Sequence, residues 1–255
     1  MDLLLATLTP STFVLCGAIA ILAGIIKGMV GFGMPMVLIS GLSSFLAPEL
    51  ALAGLIFPTL LTNGFQALRQ GPVAAWKSVK RFRRFLAAGG VAMIISAQFV
   101  RLVSADTLLL MIGIPVSIFA MIQLLGHPLR MAKPSAKGEM AVGVFAGAIG
   151  GVSGVWGPPT VTYLTALGTE KTEQMRVQGV IYGLGALVLV IAHVGSGVLR
   201  AETATFSLLL VLPGMLGMWV GTKVSDRIDQ NRFRQATLLV LLVAALNLVR
   251  RALLG

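Results

Sequence analysis

Polar positions are sparse along this chain, and their spacing sets its plan. Between Ser11 and Leu68 only Lys27 and Glu49 are charged. Between Met140 and Gly168 no residue is charged, and between Val177 and Leu199 only His193 can be. Runs of at least about 18 apolar residues read as membrane spans. Full-length spans are predicted over 51–68, 85–103, 107–125, 176–198, 204–221 and 235–252. Two longer apolar stretches remain, 12–47 and 139–167. As one helix the first would be about 54 Å long at about 1.5 Å per residue, against a hydrocarbon core of about 30 Å. Each also carries glycines and a proline near its middle. Each is therefore read as a bent hairpin of two helical pieces, either crossing twice or dipping in and returning.

Composition agrees with this plan. The chain of 255 residues is 56% hydrophobic and 11% charged, with a mean hydropathy of +0.92. Soluble domains carry about 25% charged residues. The expected class is an all-α, polytopic helical membrane protein. The first twelve residues lack Lys and Arg, so a cleaved signal peptide fits poorly. The single Cys16 offers no intramolecular disulfide and no metal or redox motif, and reads as a small buried side chain.

The net charge of +11 would suit nucleic acid, but its placement argues against that. Loop 69–84, RQGPVAAWKSVKRFRR, has six Lys/Arg and no acid. Loop 126–138 adds Arg130, Lys133 and Lys137, and loop 222–234 adds Lys223, Arg227, Arg232 and Arg234 against Asp226 and Asp229. Short basic connectors beside spans read as cytoplasmic loops. Trp76, Phe82 and Phe85 predict a segment lying at the membrane interface. If both hairpins return to their starting side, 15 of the 20 Lys/Arg face the cytoplasm. If each stretch crosses once, the bias weakens to 12 against 7. The hairpin reading gives each half an odd number of crossings, so the halves are expected as inverted-topology repeats. Residues 1–125 form the N-terminal membrane repeat and 126–255 the C-terminal one, each with a Gly/Pro-broken hairpin and three full transmembrane helices.

The hairpins carry matching motifs. Residues 24–35 read GIIKGMVGFGMP and residues 147–158 read GAIGGVSGVWGP, both G-x-x-x-G-x-x-G ending in proline, 123 positions apart. Inverted repeats with broken helices mark secondary transporters, with binding near the midplane. Gly31, Gly33 and Gly157 let the chain turn, and Pro35 and Pro158 suit the first turn of the next helical piece. Two helix N-termini result, each with unpaired N–H groups and partial positive charge suited to an anion. The expected substrate-binding set is Lys27, Gly31, Gly33, Pro35, Asn63, Gln66, Gly154, Trp156, Gly157, Pro158, Arg176 and Gln178, with half-sites meeting at the pseudo-two-fold axis. His193 is a candidate proton relay. Bland readings stand beside these. Gly24/Gly28 and Gly147/Gly151 have the small-xxx-small spacing of close helix packing. Lys27 could snorkel, Asn63 and Gln66 could bond across helices, Arg176 could be a cytoplasmic helix-end residue, and Trp156 could fill space. Gln98, Gln123 and Asn247 read as inter-helix hydrogen bonders. No P-loop, H-E-x-x-H or nucleophile elbow appears, so no enzyme, catalytic residue, metal or cofactor is expected.

The duplicated motifs, the length and the span pattern together resemble the TauE/SafE family, the sulfite-exporter-like or toluene-sulfonate-uptake permeases. That family typically has a Gly-Gly pair after the third motif glycine; here Gly33-Met34 keeps the first of the pair and Trp156-Gly157 the second. The resemblance implies a multi-pass protein of a bacterial inner membrane. It implies transport, most commonly export, of small sulfur-containing anions or organic acids such as sulfite, sulfonates and sulfoacetate, coupled to an ion gradient. Expected partners are the small anion, membrane lipids and a coupling ion, proton or sodium; a homodimer is compatible with the sequence and nucleic acid is not. An uncoupled anion channel and a non-transporting membrane scaffold are the rival classes. The topology is checked by reporter fusions at Gly255, expected to report a periplasmic C-terminus; a cytoplasmic one would end the inverted-repeat reading.

Overall fold

A computed structural model describes residues 9–42, 44–97, 105–127, 131, 135–153, 156–195 and 198–254. These are helical, with no strand among them: α1 (Pro10–Val30), α2 (Met34–Leu42), α3 (Pro48–Leu68), α4 (Pro72–Arg81), α5 (Arg83–Ala97), α6 (Ala105–Leu124), α7 (Ala136–Ser153), α8 (Gly157–Ala166), α9 (Lys171–Gly195), α10 (Ala201–Leu209), α11 (Val211–Arg227) and α12 (Gln230–Leu254). Among the described residues four stretches are long and apolar enough to cross a membrane: Pro10–Val30, Leu50–Leu68, Ala201–Arg227 and Gln230–Leu254. The protein is thus an all-α membrane protein.

The two apolar stretches are broken where the glycine motifs predict. α1 has 21 residues and α2 has 9, or about 32 Å and 14 Å of helix. α7 has 18 and α8 has 10, about 27 Å and 15 Å. Each stretch is one membrane-length helix followed by a half-length one. The predicted span 204–221 is also divided, between α10 and α11. Pro213 has no N–H to give Leu209 and its ring crowds that carbonyl, and the helix is interrupted there at the single turn residue Leu210. At the start of α9, Glu170 accepts the backbone N–H of Thr172 at 3.1 Å and of Glu173 at 3.3 Å, and the Thr172 hydroxyl as well. Partial burial pushes the Glu170 carboxyl up, but these hydrogen bonds outweigh it and hold the carboxyl below its ordinary range.

The chain forms two compact units, Met1–Gly71 with Gln178–Asp229, and Pro72–Val177 with Gln230–Gly255; the division falls within α9. In the first unit α1 packs along α11, and α2 and α10 pack on α3. The core there gathers Ala20, Met34, Leu38, Leu42, Ile56 and Phe206. Contact between α1 and α11 is backbone to backbone. A Cβ on Gly24 would lie 2.2 Å from the Gly214 carbonyl oxygen, one on Gly28 2.3 Å from that of Met218, and one on Gly217 2.1 Å from that of Ile21. In the second unit α7 packs along α5 in the same manner, and α6 packs on α12. A Cβ on Gly147 would lie 2.0 Å from the Gly89 carbonyl oxygen. Gly24, Gly28 and Gly147 are therefore packing glycines, the small-residue mode of membrane helix association.

Two sequence expectations change. Of the interface aromatics, Trp76 is exposed on α4, but Phe82 and Phe85 are buried, Phe85 stacked on Tyr163 with ring centroids 6.2 Å apart. Gln123 accepts a hydrogen bond from Arg234 on α12, as an inter-helix bonder should. Asn247 instead accepts from Arg250 on its own helix, at 3.2 and 3.0 Å; Gln98 lies outside the described residues. Helix contact this close tolerates no side chain. Gly147→Val is expected to destabilise the protein by about 1–3 kcal/mol or more through overpacking, read as a lower thermal midpoint in detergent, whereas Gly90→Ala, with open space around it, should change little.

Candidate functional site

The break in the first unit is built by two glycines in the left-handed region. Gly31 closes α1 at φ 85°, its N–H donating to the Lys27 carbonyl at 2.7 Å, and Gly33 follows at φ 93°. Residues other than glycine adopt such angles only with strain. Pro35 then sits in the first turn of α2, as predicted. The last carbonyls of α1 still need donors, because hydrocarbon supplies none. Two glutamines provide them. The Gln66 amide donates to Gly31 O at 3.1 Å. Gln178, its amide turned to donate, reaches Val30 O at 3.1 Å and Gly31 O at 3.3 Å.

Lys27 lies one turn before the break and is 1% exposed, so it does not snorkel. Its Nζ donates to Asn63 Oδ1 at 2.5 Å. Among the described residues no carboxylate pairs with it. Its side-chain partner is a neutral amide oxygen.

Asn63 and Gln66 belong to a longer pattern. Thr59, Thr62, Asn63 and Gln66 stand at i, i+3, i+4 and i+7 on α3, one helix face, and all four are buried. Thr62 Oγ1 donates to Pro58 O at 2.6 Å and lies 3.3 Å from the Met34 sulfur at the start of α2. Thr59 Oγ1 is buried without a hydrogen-bond partner among the described residues. Thr59 and Thr62 were missed in the sequence reading, although their helical spacing signals them. Pro58 in mid-α3 deprives Gly54 O of its usual donor. Ser207 of α10 mends this, its hydroxyl 3.4 Å from Gly54 O while it accepts the Phe57 N–H at 3.0 Å.

The second unit's break differs. α7 ends at Ser153, Trp156 is the N-cap of α8, and its carbonyl accepts the Thr160 hydroxyl at 2.9 Å. Trp156 and Pro158 are buried. Gly154 lies outside the described residues. Gly157 is the first helical residue and is not among the glycines with positive φ, so it does not make the turn expected of it. Pro158 and Pro159 occupy two of the first four positions of α8. Neither has an N–H, which leaves this helix end with fewer anion donors than the sequence reading assumed. Arg176 is held by Ser78, Nε to Oγ at 2.7 Å, and lies 3.9 Å from Glu173, the helix-end placement rather than a free guanidinium. His193 is half-buried in the last turn of α9, its carbonyl accepting the Leu199 N–H at 2.9 Å.

The described residues thus hold half-length helices, a buried lysine and a buried polar stripe inside an apolar chain. A sequence model of the family described as Sulfite exporter TauE/SafE matches residues 16–248. The chain belongs to the sulfite exporter TauE/SafE family. No curated protein and no solved structure matches it. This TauE/SafE protein is therefore a membrane transporter of the anion-exporter type. Its two motifs are chemically unequal. The offset of 123 puts Gly150, Tyr182, Gly185, Ala186 and Leu189 where Lys27, Thr59, Thr62, Asn63 and Gln66 stand. At these matched positions the lysine, threonine and amide side chains all lie in the first half.

Asn63→Leu would strand the Lys27 ammonium. It is expected to destabilise the protein by about 1–3 kcal/mol, the cost of an unsatisfied buried donor. The Lys27→Met/Asn63→Leu double variant should recover most of that loss. Thermal melts of the three variants form the cycle that checks it.

Proposed function

We propose that this protein is a secondary transporter that moves small organic or sulfur-containing anions, of the sulfite, sulfonate or sulfoacetate kind, out across a bacterial inner membrane. Alternating access around a midplane site, driven by an ion gradient, is the mechanism proposed. The observation that carries the reading is Lys27: a buried amine held at 2.5 Å by an amide oxygen, beside a helix break, with no carboxylate paired to it among the described residues. A lysine at the centre of a membrane helix costs roughly 3 kcal/mol on insertion scales, and a bound anion offsets its charge. Asn63 spends its oxygen on Lys27, so its amide nitrogen is the side-chain donor left for the anion. Thr59 adds a hydroxyl without a partner. Gln66 and Gln178 serve the site by holding the ends of α1 in place. The first turn of α2, from Met34, supplies the N-terminal dipole. In the second unit Trp156, Gly157 and Pro158 are given the parallel role of a half-helix end.

The proposed inverted repeat has support within each unit. The long helix of each broken stretch is packed through glycines against a later or earlier helix of the other half, α1 on α11 and α7 on α5. Ion pairs support the hairpin count. Arg69 Nη2 lies 2.6 Å from Asp226 Oδ2 in the first unit, and Arg81 Nη1 lies 2.6 Å from Glu173 Oε1 in the second. These pairs put Arg69 beside Asp226 within the first unit and Arg81 beside Glu173 within the second, contacts that favour double hairpins over single crossings.

Efflux of radiolabelled sulfite and small sulfonates from proteoliposomes tests the reading. Lys27→Met should fold and yet lose about tenfold or more in transport, in line with the worth of a hydrogen bond to a charged group. Asn63→Asp should lose transport as well, because its carboxylate replaces the anion as partner of Lys27. Wild-type rates in both variants would overturn the site. Transport that is unchanged when the ion gradient is collapsed would make the protein an uncoupled facilitator.

A further inference from the structure

A second feature lies away from the helix break, wholly within the second unit. An open groove of about 720 Å³ runs between α5 and α7. That volume is in the range of about 300–1,000 Å³ typical of small-ligand sites. Its walls are apolar along their length, with Val91, Ile95, Met140 and Val144 exposed on the two helices. At one end stand Arg83 and Arg84, the first residues of α5.

These two arginines differ from their neighbours. Arg69 is paired with Asp226, Arg81 with Glu173, and Arg176 with Ser78 and Glu173. Arg83 and Arg84 are exposed and have no hydrogen-bond or ion-pair partner among the described residues. The nearest acid of the facing helix is Glu139, and it is committed elsewhere: it is buried, and its carboxylate accepts the Phe85 N–H at 3.2 Å. That contact also brings the start of α7 beside the start of α5, so the exposed Lys137 adds a third cation at the same end.

Depth follows from the preceding helix. α4 is amphipathic, with Val73 and Trp76 exposed and Lys80 Nζ 5.7 Å from the Trp76 ring centre. Such a helix lies in the headgroup region, with tryptophan at the boundary. Arg83 begins α5 two residues after α4 ends. From Arg83 to Ile95 is about 18 Å of helix, and one leaflet of the hydrocarbon core is about 15 Å deep. The groove therefore has its charged end among headgroups and its apolar end near the midplane.

We propose that this groove is a binding site for one anionic phospholipid of the leaflet that borders loop 69–84. Its phosphate is held by Arg83 and Arg84, and an acyl chain lies along Val91, Ile95, Met140 and Val144. Basic pockets between membrane helices recognise lipid headgroups in this way, because the guanidinium charge is matched and the chain fills apolar surface. A zwitterionic lipid fits the groove but adds a cationic group where two arginines already stand.

Native mass spectrometry of the purified full chain, titrated with phosphatidylglycerol or phosphatidylcholine of the same acyl composition, tests this. Wild type should retain one phosphatidylglycerol at least about tenfold more tightly than phosphatidylcholine. Arg83→Gln/Arg84→Gln should remove that preference, and Ala92→Phe, which fills the groove, should lower phosphatidylglycerol retention with both arginines intact. Lys77→Gln/Lys80→Gln on α4 should leave retention unchanged. All substituted side chains are exposed or half-exposed, and thermal melts confirm folding. Equal retention of the two lipids by wild type, or wild-type retention by the double arginine variant, would overturn the proposal. Undiminished retention by Ala92→Phe would overturn the groove as the seat of the acyl chain.

Discussion

A helix that stops inside a bilayer exposes carbonyl and amide groups that hydrocarbon cannot hydrogen-bond. Much of the first unit answers that constraint. α1 ends at Gly31, and its terminal carbonyls are met by the Gly31 N–H, the Gln66 amide and the Gln178 amide. Pro58 creates the same deficit within α3, and Ser207 meets it from α10. The polar residues of these apolar segments are thus first of all backbone partners. They permit half-length helices where an uninterrupted chain would have run straight through.

Lys27 is different in kind. Backbone satisfaction does not require a cation, and an ammonium in this place is costly. Asn63 lowers the cost by supplying an oxygen, but an amide carries no net charge. In the function proposed above, the Lys27 ammonium gives the first unit an electrostatic preference for anions, and among the described residues no carboxylate pairs with it. Helix contacts at glycines give that preference a geometry. With Gly24 and Gly28 against the backbone of α11, α1 is held at close range and the Lys27 side chain is carried on a closely packed rod. A site whose donors are already placed needs less reorganisation when its ligand arrives.

The basic loops divide in a similar way. Exposed ion pairs such as Arg69–Asp226 contribute little stability, about 0–1 kcal/mol, so their value is to join loops on one face. Arg83 and Arg84 have no partner among the described residues, and stand at the end of an apolar groove. Sidedness, loop closure and the proposed lipid contact would be three uses of one class of residue, told apart by what each guanidinium touches.

Much of this was legible in the sequence because it is local. Span lengths, the two breaks, the burial cost of Lys27 and the pairing of Asn63 with Gln66 on one face all follow from hydropathy and periodicity over a turn or two of helix. The spacing of Thr59 and Thr62 was equally local, and was there to be read. Pairings were not legible. That Asn63 meets Lys27 across 36 positions, that Gln178 closes the end of α1, or that Arg176 turns to Ser78 depends on which helices lie side by side. Apolar helix surfaces look alike to a hydropathy profile, and in lipid they are sorted by close backbone packing rather than by burial from water. The sequence by itself determined the membrane class, most of the helices and the two breaks at the glycine motifs. The tertiary structure decided which polar groups are spent on the backbone and which are left for a ligand, because that allocation is made by distances between segments far apart in the chain.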